Sequence, residues 1–287
     1  VVTIVKHILY CFVFTMLIIV FLFPMFWTAT LSFKTYTDIV SSVPKFFFSP
    51  TFVNYRGLFT GETGTTSLPI TAPNFPRYFL NGLIISGGAT LLAMLLGVPA
   101  AYVLTRARFR KESTRENIAF TILSFWFGPE LAITIPLYRI YQKLGLLDNY
   151  LGLILVYQLI GIPFVVWMSR NYFLDIPVSV EEACLVDGAS RLQTFLKVVL
   201  PLAKGGLSAT ALLTFLFCWN NFVFALAVGG ERTMPVTTGS LSFIRYEAVL
   251  WGQMAAAIVI SAIPAILLAL LLQKHIVRGL TFGSVKG

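Results

Sequence analysis

Few side chains in this sequence can do chemistry, and their spacing does not suit catalysis. His7 and His275 border apolar stretches and build no H-E-x-x-H metal site. Cys11, Cys184 and Cys218 have neither metal-site spacing nor that of a disulfide framework, so they read as structural thiols. No G-x-x-x-x-G-K-[ST] phosphate loop occurs, so the chain does not hydrolyse ATP alone. No aspartate lies within a long apolar stretch, but one carboxylate does: Glu130, directly after Gly128 and Pro129. A carboxylate in hydrocarbon costs up to about 3 kcal/mol on insertion scales, so Glu130 is expected to face a watery cavity or a partner group. The competing reading is a protonated or interfacial Glu.

The most patterned polar stretch is Val178–Ala203, VSVEEACLVDGASRLQTFLKVVLPLA, between two apolar runs. Ser179 and Glu182 have capping-box spacing, and Pro177 stands just upstream, where helices commonly begin. Val180, Ala183, Cys184 and Asp187 then share one face of a short helix. Gly188 suits the left-handed turn that ends it. Ser190 can cap a second helix with the apolar stripe Leu192, Phe195, Leu196 and Val199, and Pro201 is expected to close that helix. The pattern predicts a helix, a glycine elbow and a helix.

The elements that must position these groups are membrane spans. Of 287 residues, 57% are hydrophobic and 11% charged, and mean hydropathy is +0.83. Several apolar runs exceed the roughly 18 residues that mark a span. The expected spans are residues 8–31, 78–104, 118–140, 151–168, 207–228 and 254–272 of a single transmembrane domain, 1–287. None alternates as a strand would, so the fold class is an all-α membrane protein with six transmembrane helices. The first run is longer than a signal peptide's apolar core of about 7–15 residues, and no small-x-small cleavage site follows it. The chain starts at Val1, so the native start is expected to lie upstream.

Lys6, Arg106, Arg108, Arg110, Lys111, Arg115, Arg170, Arg191, Lys197, Lys204, Lys274, Arg278 and Lys286 fall on one side of that topology. By the positive-inside rule this side is cytoplasmic, together with both termini and the 178–203 loop. The net charge of +9 is thus a topology signal and calls for no nucleic acid. Pro24, Pro99, Pro129, Pro136, Pro163 and Pro264 lie within spans. Most read as tolerated kinks, and Pro129 is the best candidate for a broken helix that lines a pathway.

Glu182, Ala183, Cys184, Gly188, Val198, Leu200 and Pro201 follow E-A-A-x3-G-x9-I-x-L-P. This resembles the signature loop of ATP-binding-cassette importer permeases, with Cys184 in place of the second Ala. Asp187, Ala189, Ser190, Phe195 and Leu202 resemble the maltose-type, sugar-uptake branch. So do Trp219 with Asn220, and the tail Gly279-Leu280-Thr281, Gly283, Val285, Lys286 and Gly287. The resemblance implies a type I ABC importer permease fold with a cytoplasmic coupling helix. It implies that Glu181, Glu182, Ala183, Asp187, Gly188, Ala189 and Phe195 couple to an ATPase. Asn220 and Asn221 join Glu130 as substrate-pathway candidates, and the resemblance suggests Glu231, Arg232 and Thr233 as a loop tip that touches a binding protein. Gly283, Lys286 and Gly287 would reach between ATPase subunits.

The implied partners are a second permease, an ABC ATPase dimer, an extracytoplasmic solute-binding protein and membrane lipid. No cofactor is expected on this chain, ATP and Mg belonging to the ATPase. The implied cargo is a carbohydrate, either a neutral oligosaccharide, a polyol, a sugar phosphate or an acidic alginate-type uronate. The outward segments carry more basic residues than acids (Asp38, Glu62, Asp148, Glu231 and Glu247), which would steer an anion, although snorkelling Lys and Arg explain the same excess. Residues 61–74 look like an insertion. A secondary transporter or a channel is the alternative function, and it would usually carry coupling acids deep in several spans.

Overall fold

A computed structural model describes residues 2–62, 73–107, 109, 111–246 and 248–281. Most of the 61–74 insertion, Arg108, Arg110, Glu247 and the tail residues Gly283, Lys286 and Gly287 lie outside the described residues. The helices are α1 Val2–Ser32, α2 Tyr36–Ile39, α3 Val53–Thr60, α4 Phe75–Arg106, α5 Glu112–Ser124, α6 Glu130–Leu144 and α7 Tyr150–Val156. They continue as α8 Gln158–Leu174, α9 Val178–Val186, α10 Arg191–Thr194, α11 Leu200–Asn220, α12 Val223–Val228, α13 Val236–Gly239 and α14 Trp251–Thr281. Among the described residues, four helical stretches are long and apolar enough to cross a membrane alone, and up to six crossings result when each of two bent pairs counts as one.

The chain forms two compact units. One comprises Val1–Pro76 with Gly239–Ile263. Here Asn54 Nδ2 donates to the carbonyls of Ser32 and Lys34 at 3.0 and 2.8 Å, satisfying acceptors near the open end of α1. The buried Lys34 ammonium donates to the Lys45 carbonyl at 2.6 Å and lies over the rings of Trp27 and Phe48.

The other unit comprises Arg77–Thr238 with Pro264–Gly287. Ala93, Val98, Ala101 and Leu104 of α4 share a buried cluster with Val165, Val166 and Phe173 of α8 and with Phe195, Val199 and Ala203. A second cluster joins Ile85 and Ala89, Tyr141, Leu153, Val156 and Tyr157, Cys218, Phe224 and Val228. Small residues permit the closest approach: Gly206 of α11 lies directly under the ring of Tyr172 on α8.

Four expectations change here, one of them the fourth run, which bends by 43° between α7 and α8. The third apolar run is not one helix, because α5 ends in a 3₁₀ turn at Phe125–Phe127 and α6 leaves it at 89°. Pro129 lacks a donor and forces Gly128 into extended backbone (ψ 136°). The fifth run breaks at Asn221, also extended (ψ 122°), and α12 is a separate piece. Pro201, in contrast, closes nothing. Residues 191–220 form one continuous helix of 30 residues, because a π segment at Phe195–Val199 widens the turn that the proline ring would otherwise strike.

Candidate functional site

The 178–203 loop presents the short helix α9 between two sharply defined ends. Pro177 (φ −59°, ψ 134°) is its N-cap, so the helix starts at Val178 and Ser179 is already inside it. The capping box expected from Ser179 and Glu182 therefore does not form. At the other end the Gly188 N–H donates to Leu185 O at 3.1 Å and the Ala189 N–H to Cys184 O at 3.0 Å. These two bonds form a Schellman motif, with Gly188 in the left-handed region at φ 85°. Ser190 then caps α10 in a complete capping box with Gln193.

Neighbouring residues of α9 face opposite ways. Glu182, Ala183, Asp187 and Gly188 are exposed, and beside them Val186 is 86% exposed. Glu181 turns inward and is 6% exposed. One of its oxygens accepts from Arg106 Nε at 2.6 Å, and the other from the Tyr102 hydroxyl at 2.7 Å. Arg106 also donates to the carbonyls of Phe173 (2.9 Å) and Ile176 (2.6 Å), at the open end of α8. Phe195 is buried with its ring 4.6 Å from that of Tyr102, and Ala189 is half-buried. Glu181 and Phe195 thus seat the loop, and the exposed residues form its outer surface. In the expected second-helix stripe, only Phe195 and Val199 are buried, whereas Leu192 and Leu196 are exposed. Sequence reasoning counted Arg106 only as a topology charge and missed Tyr102. A basic residue ending an apolar helix was the available signal.

Glu130 is the first residue of α6, at the break in the third run. Asn221, at the break in the fifth, points its amide at both Glu130 oxygens from 3.4 and 3.5 Å. Its side-chain oxygen accepts from the Phe224 N–H in the first turn of α12 at 3.1 Å. Two helix breaks therefore meet at one carboxylate. Asn220 does not join them: it is exposed, and its amide folds back to Leu216 O at 2.9 Å. The rings of Trp126, Phe164 and Phe217 pack together beside the break, with centroids 4.9–5.7 Å apart.

The loop after α12 is held rather than free. Glu231 and Arg232 are exposed, but Thr233 is 0% exposed, which removes its side chain from any outward contact. Its hydroxyl donates to Asp148 at 2.8 Å, as does its N–H at 2.9 Å and that of Arg232 at 3.1 Å. Asn81 donates to the carbonyls of Arg232 (3.1 Å) and Met234 (2.9 Å) and accepts from the Tyr150 hydroxyl (2.7 Å). Burial tends to raise the Asp148 carboxyl, but the Thr233 hydroxyl and the N–H groups of Arg232, Thr233 and Gly230 outweigh it and hold the group below the usual carboxylate range.

The elbow's intervals and its exposed Glu182 and Ala183 now meet an independent finding. Residues 5–282 match the family described as binding-protein-dependent transport system inner membrane component. The chain belongs to that family. This membership sets aside the secondary-transporter and channel readings, and makes the chain a permease subunit of an ABC importer without an ATPase site of its own. It is also a multi-pass membrane protein.

The permease is 34% identical over 272 residues to the trehalose/maltose transport system permease protein MalG of Thermococcus litoralis, a match covering 94% of this chain and 93% of that one. It is also 34% identical over 275 residues to the trehalose transport system permease protein SugB of Mycobacterium tuberculosis, covering 93% of each. A chain from a bacterial ABC transporter involved in the import of the acidic polysaccharide alginate superposes with a TM-score of 0.77 at 24% identity, covering 95% of this chain and 96% of that one. The fold is therefore that of the type I ABC importer permeases.

Proposed function

We propose that this permease serves the uptake of a carbohydrate across the bacterial inner membrane. It would pair with a second permease, receive cargo from an extracytoplasmic binding protein, and be driven by an ABC ATPase dimer that carries ATP and Mg. The observation that carries the coupling role is the Gly188 elbow: a Schellman stop that leaves Glu182, Ala183, Asp187 and Gly188 exposed while Glu181 and Phe195 root the loop. ATPase closure would push α9, and its root would pass the push to α4 and α8 as a rigid-body motion. The relatives named for trehalose and maltose support a saccharide cargo. Glu130 and Asn221 are the pathway groups this reading favours. Glu231 and Arg232 are its outward contacts.

The test is substrate-stimulated ATPase activity in the reconstituted complex. Beyond its chain neighbours, nothing lies within 4 Å of where a Cβ on Gly188 would stand, so Gly188→Val acts chiefly through backbone strain, about 1–2 kcal/mol for a residue held at positive φ. The strain falls on the elbow, so the permease should insert and pair while stimulation is lost. Glu182→Lys, a change on the exposed face, should do the same. Normal stimulation in both variants would refute the coupling role. Competition for uptake among a neutral oligosaccharide, a polyol, a sugar phosphate and a uronate oligomer then identifies the cargo.

A further inference from the structure

The half-helix α6 is tied at both ends. At the inner end Glu130 meets Asn221, where α11 stops and α12 begins. At the outer end Gly145 turns the chain, and Asp148 follows in the left-handed region (φ 48°), an unusual place for a residue with a side chain. From that position its N–H donates to the carbonyl of Val228, the last residue of α12, at 2.9 Å. Its carboxylate meanwhile gathers the N–H groups of Arg232 and Thr233 and the Thr233 hydroxyl. A Cβ on Gly230 would stand 2.6 Å from the Asp148 carboxyl carbon, so the loop backbone lies directly on it. Between the two ties Tyr141 of α6 is buried with Phe224 and Val228 of α12, and Ile133 and Leu137 pack against the same cluster. The breaks in the backbone, at Gly128–Pro129 and at Asn220–Asn221, both lie at the inner end.

We propose that Asp148 is a positioning residue that locks α6, α12 and the loop through Thr233 into one body, so that a force on the exposed Glu231 and Arg232 reaches Glu130. Its strained backbone is what lets one residue face two ways, donating to the end of α12 and accepting from the loop beyond it. The proposal deepens the transport reading above and rests on it for the source of the force.

The experiment measures distances between spin labels in the reconstituted transporter, nucleotide-free and trapped with ATP and vanadate. Cys11, Cys184 and Cys218 are first replaced by alanine. Labels at Leu131→Cys and Glu231→Cys report the two ends of the body, and labels at Phe120→Cys and Leu131→Cys report across the Gly128–Pro129 break. The expected result is one narrow 131–231 distance, equal in both states, with a 120–131 distance that changes between them. Asp148→Ala should broaden the 131–231 distance and make it depend on state. Thr233→Val removes the hydroxyl donor alone, and should broaden it less but in the same direction, which serves if Asp148→Ala does not assemble. A 131–231 distance that already changes in the parent overturns the proposal. So does one that stays narrow and constant in every variant that assembles. These distances need neither cargo nor binding protein, so their outcome is separate from that of the Gly188 and Glu182 variants.

Discussion

Two adjacent glutamates at the start of the coupling helix have opposite fates, and the difference can be measured. Glu181 and Arg106 are nearly enclosed, with side chains 8% and 12% exposed. Removing one member of such a pair leaves a buried charge alone, at a cost of about 3–5 kcal/mol, whereas replacing both with apolar groups of similar volume is often near neutral. Glu181→Leu or Arg106→Met alone should therefore lower the thermal unfolding midpoint of the purified complex sharply, and the double variant should recover most of the loss. Equal losses in all three would mean that the pair carries no mutual energy. Asp148 supplies the pH-dependent case. Its carboxyl lies below the usual range, so the clasp is fully held above the unfolded carboxylate value of about 4 and is released only as pH falls through the lower folded value. Hydrogen-exchange protection of the Arg232 and Thr233 amides should be flat from neutral pH to about 5 and collapse only below about 4. Asp148→Asn should remove that dependence.

Among the elements, what was legible in the sequence was local. The Gly188 turn and the Ser190 cap each depend on residues within a few positions, and both form as their spacing implies. The Ser179 cap fails because Pro177, two residues upstream, already fixes the helix start. The inward turn of Glu181 was hidden because its partner is 75 residues away and a nine-residue helix has too little periodicity to show which Glu faces in. The Asp148 clasp, across 84 and 85 residues, was hidden for the same reason. Pro201 misled because a proline reads as a stop unless a π turn makes room for it. That turn offers its own test: deleting Lys197 would close it into regular α-helix and rotate everything upstream by about 100° relative to α11. Phe195 would then leave its place beside Tyr102, and the ATPase should no longer co-purify although the permease still inserts. Retention of the ATPase at parent level would mean that the bulge has no role in aiming the elbow.

For the whole molecule, orientation is the first quantity to measure. Cys184 lies in the loop assigned to the cytoplasm and is half-buried. An impermeant thiol reagent should label it in inside-out vesicles and not in sealed right-side-out ones, using the permease without its ATPase. Labelling from outside would reverse the assigned topology. The unbroken helix from Arg191 to Asn220 has a further consequence. Thirty residues of helix make a beam about 45 Å long, and Gly206, pressed beneath Tyr172, lies near its midpoint. Buried contacts run along it from Phe195 to Trp219, so it is clamped over most of its length and moves as one lever with the helices it packs against. A displacement of the elbow end would then reach the Asn220 end through a single element, with no relay of successive conformational signals.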